Sequence, residues 1–487
     1  MFHYKPSDGY FGDPIPFFWD GTYHMFYLKA PLEPARHGAD STSYAHISTR
    51  DFIHWKEHPP VISPEQGGPD EKGCWTGSII EKDGTFFLFY TGHDGGHPTR
   101  PQSICLATSE DLDNWTKSPL NPILLPDTDL YAITDWRDPF VFWYEEEETY
   151  LMSITTVTKE GGFWKGGALV MAHSKDLREW KVEEVYYNPG NHGYPECSDI
   201  FRMGRYWYLV CSIFDKTCYR IGETPRGPWR TGRNDSFDGV LNYAAKTISD
   251  GVNRYAVGWI RTKAGNMDSG NWEWAGHLSF PRQIVQDDDG TLHSKIPDHF
   301  TQIRGGCHYD IDSMNGAPPS LKGHWLKSSV GSLTVDSPLY AELPLRSHSS
   351  AFDITIEFIP SSSTKALGLV FHSDSSINHP GYELAVDLQH HLLIFRKHTK
   401  RFGSYACQDL LYQEEKPVCL RVIVERGIVE ASVNDLCTLS SRFYHFSEEP
   451  GIRFFVEEGG GTLTRAIVYE LGQAPEPIPA HDQLLKI

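Results

Sequence analysis

The chain is short of basic residues: 44 Lys and Arg stand against 64 Asp and Glu, for a formal net charge of -20. A nucleic-acid partner calls for a basic face that tracks phosphates, so this balance excludes one and suits a neutral or weakly charged ligand. Cysteine is sparse and unpatterned. The nine cysteines (74, 105, 197, 211, 218, 307, 407, 419 and 437) contain no Cys-x-x-Cys pair, and an odd count without that spacing points to neither a disulfide framework nor a zinc site. Reduced thiols in a cytoplasmic setting are expected. No run approaches the ~20 apolar residues that span a bilayer, and no apolar segment precedes the first motif, so neither a membrane span nor a signal peptide is expected. Removal of a leader would change that expectation to secretion. A homo-oligomer stays open.

What the chain has in quantity is aromatic side chains: 13% of its 487 residues, with 14 Trp and 24 Tyr. Aromatic rings pack sheet cores and also line sugar-binding clefts. The length exceeds what one hydrophobic core supports, which predicts two domains. The first carries a repeat. Ser48 to Trp55, Ser109 to Trp115 and Ser174 to Trp180 share a Ser, an Asp, an apolar residue and a Trp four positions after the Asp, and Trp229 in Gly-Pro-Trp-Arg reads as a degenerate fourth copy. A second element keeps the same rhythm. Aromatic and β-branched strands begin near Thr22, Thr85, Thr149, Tyr206 and Arg254, most of them entered through Gly- or Asp-containing turns. Five copies predict an all-β fold, a five-bladed propeller around a central channel.

The repeat stops near residue 300. Residues 305–324, rich in Gly, Pro and Ser with Asn315-Gly316 and Pro318-Pro319, read as a linker between a propeller over 1–304 and a second domain over 325–487. Beyond it, Phe352 to Phe358, Leu420 to Glu425 and Ile428 to Val433 alternate apolar and polar residues, which predicts a C-terminal β-sandwich. Helical periodicity of any length is absent. The acidic run Glu145 to Glu148 reads as a solvated turn.

Three acids occupy short motifs in the first domain: Asp13 in Gly-Asp-Pro, Asp138 in Trp-Arg-Asp-Pro and Glu196 in Tyr-Pro-Glu-Cys-Ser-Asp. Each falls next to one of the aromatic strands. If the motifs lie on the innermost strands of their blades, the acids converge on the axis, where a pocket is expected. Paired carboxylates across a sugar cut glycosidic bonds, and a third can order the substrate. A lone Asp-Pro is a common turn initiator. Arg137 beside Asp138 would keep that carboxylate ionised and offer donors to vicinal hydroxyls. Glu196, between Pro195 and Cys197, is expected in a dry setting that raises its pKa toward that of a proton donor.

The order of motifs resembles glycoside hydrolase family 32, the β-fructofuranosidases that include invertases, inulinases and levanases. The resemblance runs from Phe2-His3-Tyr4-Lys5-Pro6 and Gly9-Tyr10-Phe11-Gly12-Asp13-Pro14 through Tyr44-Ala45-His46, Trp75-Thr76-Gly77-Ser78, Trp136-Arg137-Asp138-Pro139 and Glu196-Cys197-Ser198-Asp199. It continues through Tyr243-Ala244-Ala245-Lys246-Thr247 and Gly258-Trp259 to Trp274-Ala275-Gly276-His277, and the family too has a trailing β-sandwich. It implies Asp13 as nucleophile, Glu196 as general acid/base, and Asp138 with Arg137 as the group that holds adjacent sugar hydroxyls. It further implies a retaining reaction through a fructosyl-enzyme, with nucleophile and acid about 5 Å apart, on a fructoside substrate. No cofactor and no metal are called for. Around the sugar the resemblance places Tyr44, Trp75, Ser78, Tyr243 and Trp274, with Cys197 a pocket-wall contact rather than a nucleophile, since no base is paired with it.

The sugar-orienting shell departs from the family. Where the family has Trp-Met-Asn-Asp-Pro-Asn-Gly, this chain has Tyr10-Phe11-Gly12-Asp13-Pro14-Ile15-Pro16; Leu28 replaces a Gln, and Tyr44-Ala45-His46 replaces Trp-Gly-His. Each lost amide removes hydrogen bonds worth ~1 kcal/mol or more. Three alternatives therefore stay in view: an inverting arabinofuranosidase-like propeller, a fructosyltransferase, and a catalytically silent sugar-binding homologue.

Overall fold

A computed structural model describes residues 2–32, 39–159, 166–191, 193–313, 323–329, 332–345, 349–373, 381–398, 404–412, 416–446 and 451–473. Five antiparallel sheets follow one another in the first domain. The first blade runs Gly9–Trp19, Thr22–Pro31, Ser43–Thr49 and Lys56–Glu57, and the second runs Gly73–Lys82, Thr85–His93, Gln102–Ser109 and Thr116–Lys117. The third comprises Tyr131–Tyr144, Thr149–Thr158, Gly167–Ser174 and Lys181–Tyr187. Glu196–Met203, Tyr206–Ile213 and Lys216–Gly222 form the fourth, whose outer edge is completed by bridges from Cys218 to Ser236 and Ile221 to Arg230. The fifth holds Asn242–Ser249, Arg254–Lys263, Arg282–Gln286 and Leu292–Lys295. The five aromatic segments of the repeat are the second strands of these blades.

The five first strands pack against one another in sequence, and Asn242–Ser249 returns to Gly9–Trp19, so they close a ring. A further strand, Trp272–Leu278, leaves the fifth blade and pairs with the first, Phe11 opposite Gly276. That pairing stitches the two ends of the ring together.

Separate apolar clusters fill the gaps between successive blades. The repeat tryptophans supply them in turn: Trp55 packs between blades five and one, Trp115 between one and two, Trp180 between two and three, and Trp229 between three and four. Trp115 meets Phe26 edge-on at 5.7 Å, and Trp180 meets Phe89 at 5.5 Å. The conserved Asp of each copy closes the turn before its Trp. One oxygen of Asp51, Asp111 and Asp176 accepts the backbone N–H groups two and three residues on, at 2.7–3.0 Å. The apolar residue between, Phe52, Leu112 or Leu177, is buried at a φ of 59°, 66° or 65°. The hydroxyl two residues before the Asp accepts from the turn, and in the first copy it is Thr49 rather than Ser48.

The second domain is a β-sandwich built on one long strand, Gly451–Leu471, which pairs with Ser332–Leu345, Ala366–Ser373, Phe352–Pro360 and Arg304–Asp310. The alternating segments at 352–358, 420–425 and 428–433 are strands with the phase expected, and their apolar residues enter one core. The stretch 305–324 is not simply a linker. Arg304–Asp310 already belongs to the second domain's sheet, because its backbone groups pair with Ile467–Leu471, while 314–322 lies outside the described residues. The acidic run forms an exposed 3-10 turn, Glu145–Glu147. Among the described residues no helix is long and apolar enough to cross a membrane.

The domains meet on buried charge. Arg282, 1% exposed, donates to Asp238 Oδ2 at 2.8 and 2.9 Å, and contacts Glu430 of the sandwich. Glu430 also accepts the Phe280 N–H at 3.0 Å and a bond from His3 Nε2 at 3.2 Å, and Glu425 accepts from His3 Nδ1 at 2.9 Å. Removing one partner of such a group strands the other, so Glu430→Ala should cost about 3–5 kcal/mol. A fall in melting temperature measured by calorimetry checks this, and an unchanged transition would show that the interface does not hold the domains. The propeller alone, 1–304, should be poorly soluble or inactive, since Arg282 and Asp238 would then face solvent without their sandwich partners.

Candidate active site

Every inner strand is interrupted by a bulge at the same level. Register shifts lie between Phe11 and Pro14, between Trp75 and Gly77, opposite Ser153 to Thr155 where Asp138 and Pro139 stand, between Glu196 and Asp199, and between Tyr243 and Lys246. A bulge bends its strand and re-aims a side chain. Both Asp-Pro dipeptides sit in these bulges rather than in turns: proline has no N–H for a ladder bond, and a bulge demands none there. Asp138, Cys197 and Ala244 take φ of 60°, 53° and 52°, in a region that few non-glycine residues adopt and that turns each side chain out of the pleat.

The bulges bring the three acids together. Asp13 Oδ1 accepts the Trp259 Nε1–H at 2.8 Å, and Cys197 Sγ faces Asp13 Oδ2 at 3.7 Å. The Cys197 N–H donates to Asp138 Oδ2 at 2.9 Å, while Asp138 donates its own N–H to Thr91 Oγ1 at 2.8 Å. One residue, Cys197, therefore touches both aspartates, and its neighbour is Glu196. Arg137 Nη2 donates to Glu196 Oε1 at 2.9 Å and the Tyr243 hydroxyl donates to Oε2 at 2.7 Å. Arg137 Nη1 donates to Asp135 at 2.7 Å, leaving its Nε 4.0 Å from Asp138. Lys246, 1% exposed, donates to the Gly77 carbonyl at 2.7 Å and adds a buried positive charge.

Burial dominates the electrostatics. It pushes Asp13 up to about 7, with Asp138 and Glu196 adding to the rise against the Trp259 hydrogen bond and Lys246. Asp138 rises to about 6 for the same reason, although Arg137 opposes it. Arg137 pulls in the direction expected, and at about 6 Asp138 is still mostly ionised at neutral pH, but desolvation outweighs a guanidinium whose fork is engaged elsewhere. Glu196 is not in the dry setting expected; its side chain is 33% exposed and held by two donors. The Cys197 thiol is pushed well up by burial and then by Asp13 and Asp138, which keeps it a protonated donor rather than a nucleophile.

The other expected pocket residues divide. Tyr243 is in the site. Trp274 stands edge-on to Trp259 at 5.6 Å, and a Cβ on Gly12 would meet its Cη2 at 2.5 Å. In this chain position 12 has no room for a side chain, because the Trp274 ring and the Leu28 carbonyl fill that space. Leu28 is buried in the wall behind, so the surroundings of Asp13 are apolar where the family pattern has amides. Tyr44 is 1% exposed and donates to the Trp75 carbonyl at 2.8 Å, which makes it a support. Trp75 stacks on His93 at 3.9 Å and is partly open. Ser78 is a correction. Its hydroxyl accepts the Val141 N–H at 2.9 Å and faces a cavity of about 270 Å³ further along the inner strands, so it ties blade two to blade three. Sequence reading passed over Trp259, Lys246 and Thr91 as site residues. The first two stood within quoted motifs, but nothing in a linear pattern marks a donor to an acid more than 200 positions away.

The raised aspartates carry a stability consequence with a definite sign. Between the ordinary 3.8 and about 7 the folded state binds a proton at Asp13 that the unfolded chain does not, so stability falls as pH rises through that window. Asp13→Asn removes the penalty. The variant should melt higher than wild type at pH 8, by up to about 4 kcal/mol in stability, and the gap should close below pH ~4 where both states are protonated. Melting curves from pH 4 to 8 test this; a gap independent of pH would refute the buried-carboxylate account.

The chain is similar to known proteins over nearly its whole length. Residues 3–295 match the model described as glycosyl hydrolases family 32 N-terminal domain, and residues 315–470 match the family 32 C-terminal model. The chain is 25% identical over 498 residues to sucrose-6-phosphate hydrolase of Escherichia coli, covering 97% of this chain and 94% of that protein. It is 24% identical over 497 residues to raffinose invertase of Escherichia coli, with the same coverage. The fold matches that of fructan 1-exohydrolase IIa from Cichorium intybus with a TM-score of 0.74 at 19% identity, over 96% of each chain. With three acids on bulged inner strands of a five-bladed propeller, a trailing sandwich and both family models matched, this chain belongs to glycosyl hydrolase family 32 and is a glycoside hydrolase.

Proposed function

We propose that the chain hydrolyses fructofuranosidic bonds with retention of configuration. The observation that carries this reading is the joining of Asp13, Asp138 and Glu196 through Cys197, Arg137 and Tyr243 at one level of the axis. The relatives named sucrose-6-phosphate hydrolase and raffinose invertase, and the neighbour named fructan exohydrolase, support the sugar class.

In the first step the Asp13 carboxylate attacks the anomeric carbon while Glu196 gives its proton to the leaving oxygen. Glu196 is suited to this because its carboxyl is partly exposed and oriented by Arg137 and Tyr243. In the second step the Glu196 carboxylate takes a proton from water, which displaces the fructosyl group from Asp13 and restores both acids. Asp138, buried and fixed by the Cys197 N–H, is placed to hold sugar hydroxyls. The Trp259 N–H on Asp13 Oδ1 orients the nucleophile and stabilises its charge.

Asp13→Asn and Glu196→Gln should each lower kcat by at least ~10³-fold with the fold retained, by analogy with the loss of a group acting in the transition state. Wild-type turnover in either would overturn the assignment. NMR of the first-formed anomer should show retention, whereas inversion would favour the arabinofuranosidase-like alternative. Because Asp13 must be ionised to attack while the general acid must still carry its proton, kcat/KM should follow a bell-shaped pH profile, its rising limb set by ionisation of Asp13 toward about 7. Product analysis on sucrose, inulin, levan, difructose anhydrides and nitrophenyl arabinofuranoside identifies the substrate.

A further inference from the structure

The blade repeat exposes a second constellation, away from the acids. Strand registers align His24 with Phe87 and Leu151, and His46 with Leu106 and Met171, in blades one, two and three. The two positions are apolar and buried in blades two and three. In blade one both are histidine, and His58 joins them where blade two has Ser118, each donating its N–H to the strand beside it. Three imidazoles thus gather at the edge of a core that its sister blades fill with hydrocarbon.

Their hydrogen bonds have a direction. His46 Nε2 bonds His24 Nδ1 at 2.9 Å and His58 Nε2 bonds Ser48 Oγ at 2.8 Å, so both outer nitrogens are engaged. Both Nδ1 atoms turn toward Asp113, which blade two contributes: His58 Nδ1 lies 2.7 Å and His46 Nδ1 3.8 Å from its Oδ1. His46 Nδ1 is buried with no hydrogen-bond partner, in a side chain of 0% exposure. A metal-ligating histidine ordinarily has its other nitrogen held by such a partner. The three donor atoms lie within 4.8 Å of one another.

From this arrangement we propose a divalent transition-metal site of the zinc class, with His46 Nδ1, His58 Nδ1 and Asp113 Oδ1 as ligands. His24 is the positioning partner that fixes the His46 ring. Asp113, 39% exposed, opens the site to water for the fourth position. Tetrahedral zinc wants donors roughly 3.3 Å apart. The His46 and His58 rings are stacked at 3.9 Å, and two stacked rings cannot aim in-plane lone pairs at one ion, so binding must tilt His58 out of the stack. The ion would clasp blade one to blade two.

Tag-free full-length protein titrated with Co²⁺ alone, and then with Zn²⁺ in competition, tests the proposal. Wild type should take up one equivalent with tetrahedral visible absorption, displaced by Zn²⁺, and its melting temperature should rise with metal and return with chelator. His46→Leu with His58→Ser installs the residues of blade two; it should fold, keep fructoside hydrolysis and lose the absorption. Asp113→Asn should weaken binding at least ~10-fold. Absence of saturable Co²⁺ or Zn²⁺ uptake by wild type, or uptake unchanged in the double variant and in Asp113→Asn, would overturn the site. Hydrolysis lost in the double variant with metal uptake intact would do the same, while hydrolysis lost in Asp13→Asn leaves this test unaffected.

Discussion

Desolvation of carboxylates inside a closed ring of strands is the constraint from which the rest of the structure follows. Asp13 and Asp138 are buried within contact of one residue, Cys197, and both are held above the ordinary carboxylate range. Such groups persist only where surrounding donors and packing over-determine their positions. Trp259, the Cys197 N–H and Lys246 supply the compensating polarity, and the five bulges supply the aim. A site that destabilises its own fold needs a scaffold that does not yield.

That scaffold is secured at three levels. Within each turn, an Asp oxygen holds two backbone N–H groups and forces an apolar residue into the left-handed region, which presents the following Trp to the adjacent blade. Between blades, that Trp fills an aromatic cluster. Around the ring, pairing of Phe11 with Gly276 joins first blade to fifth. The sandwich then locks the closure, since Glu430 reaches Arg282 of the fifth blade and His3 of the N-terminal segment at once. The network includes the segment that leads directly into the strand carrying Asp13, so the second domain is tied to that strand through backbone.

The chemistry and the specificity of the site rest on different residues. Glu196 and Asp13 differ in exposure and partners: the first is a third open and held by two donors, the second is buried against the Trp259 N–H. The wall beside Asp13 is another matter. Trp274 occupies the room that a side chain at position 12 would need, and Leu28 backs it, so rings and hydrocarbon stand where the family pattern has amides. A side chain at position 12 would need the Trp274 ring to move.

Local pattern was enough for much of this molecule. The Asp-x-x-x-Trp repeat, the aromatic strands and the alternating segments beyond residue 350 each encode a structure of a few neighbouring residues, and so five blades, a sandwich and the three acids were legible in order. What the linear pattern could not hold was anything set by burial or by contacts between blades. Arg137 sits next to Asp138 in the chain, yet its fork turns to Glu196 and Asp135; Ser78 belongs to a motif, yet it bonds Val141; residues 304–310 look like the edge of a linker, yet they pair with the last strand of the sandwich. The histidines of blade one are unremarkable as spacing and become a cluster only when strand register stacks them. Sequence by itself determined the repeating unit, because turn chemistry and alternation act over a few residues. Only the tertiary structure decided which carboxylates lose their water and which donors meet them, because desolvation depends on every blade at once.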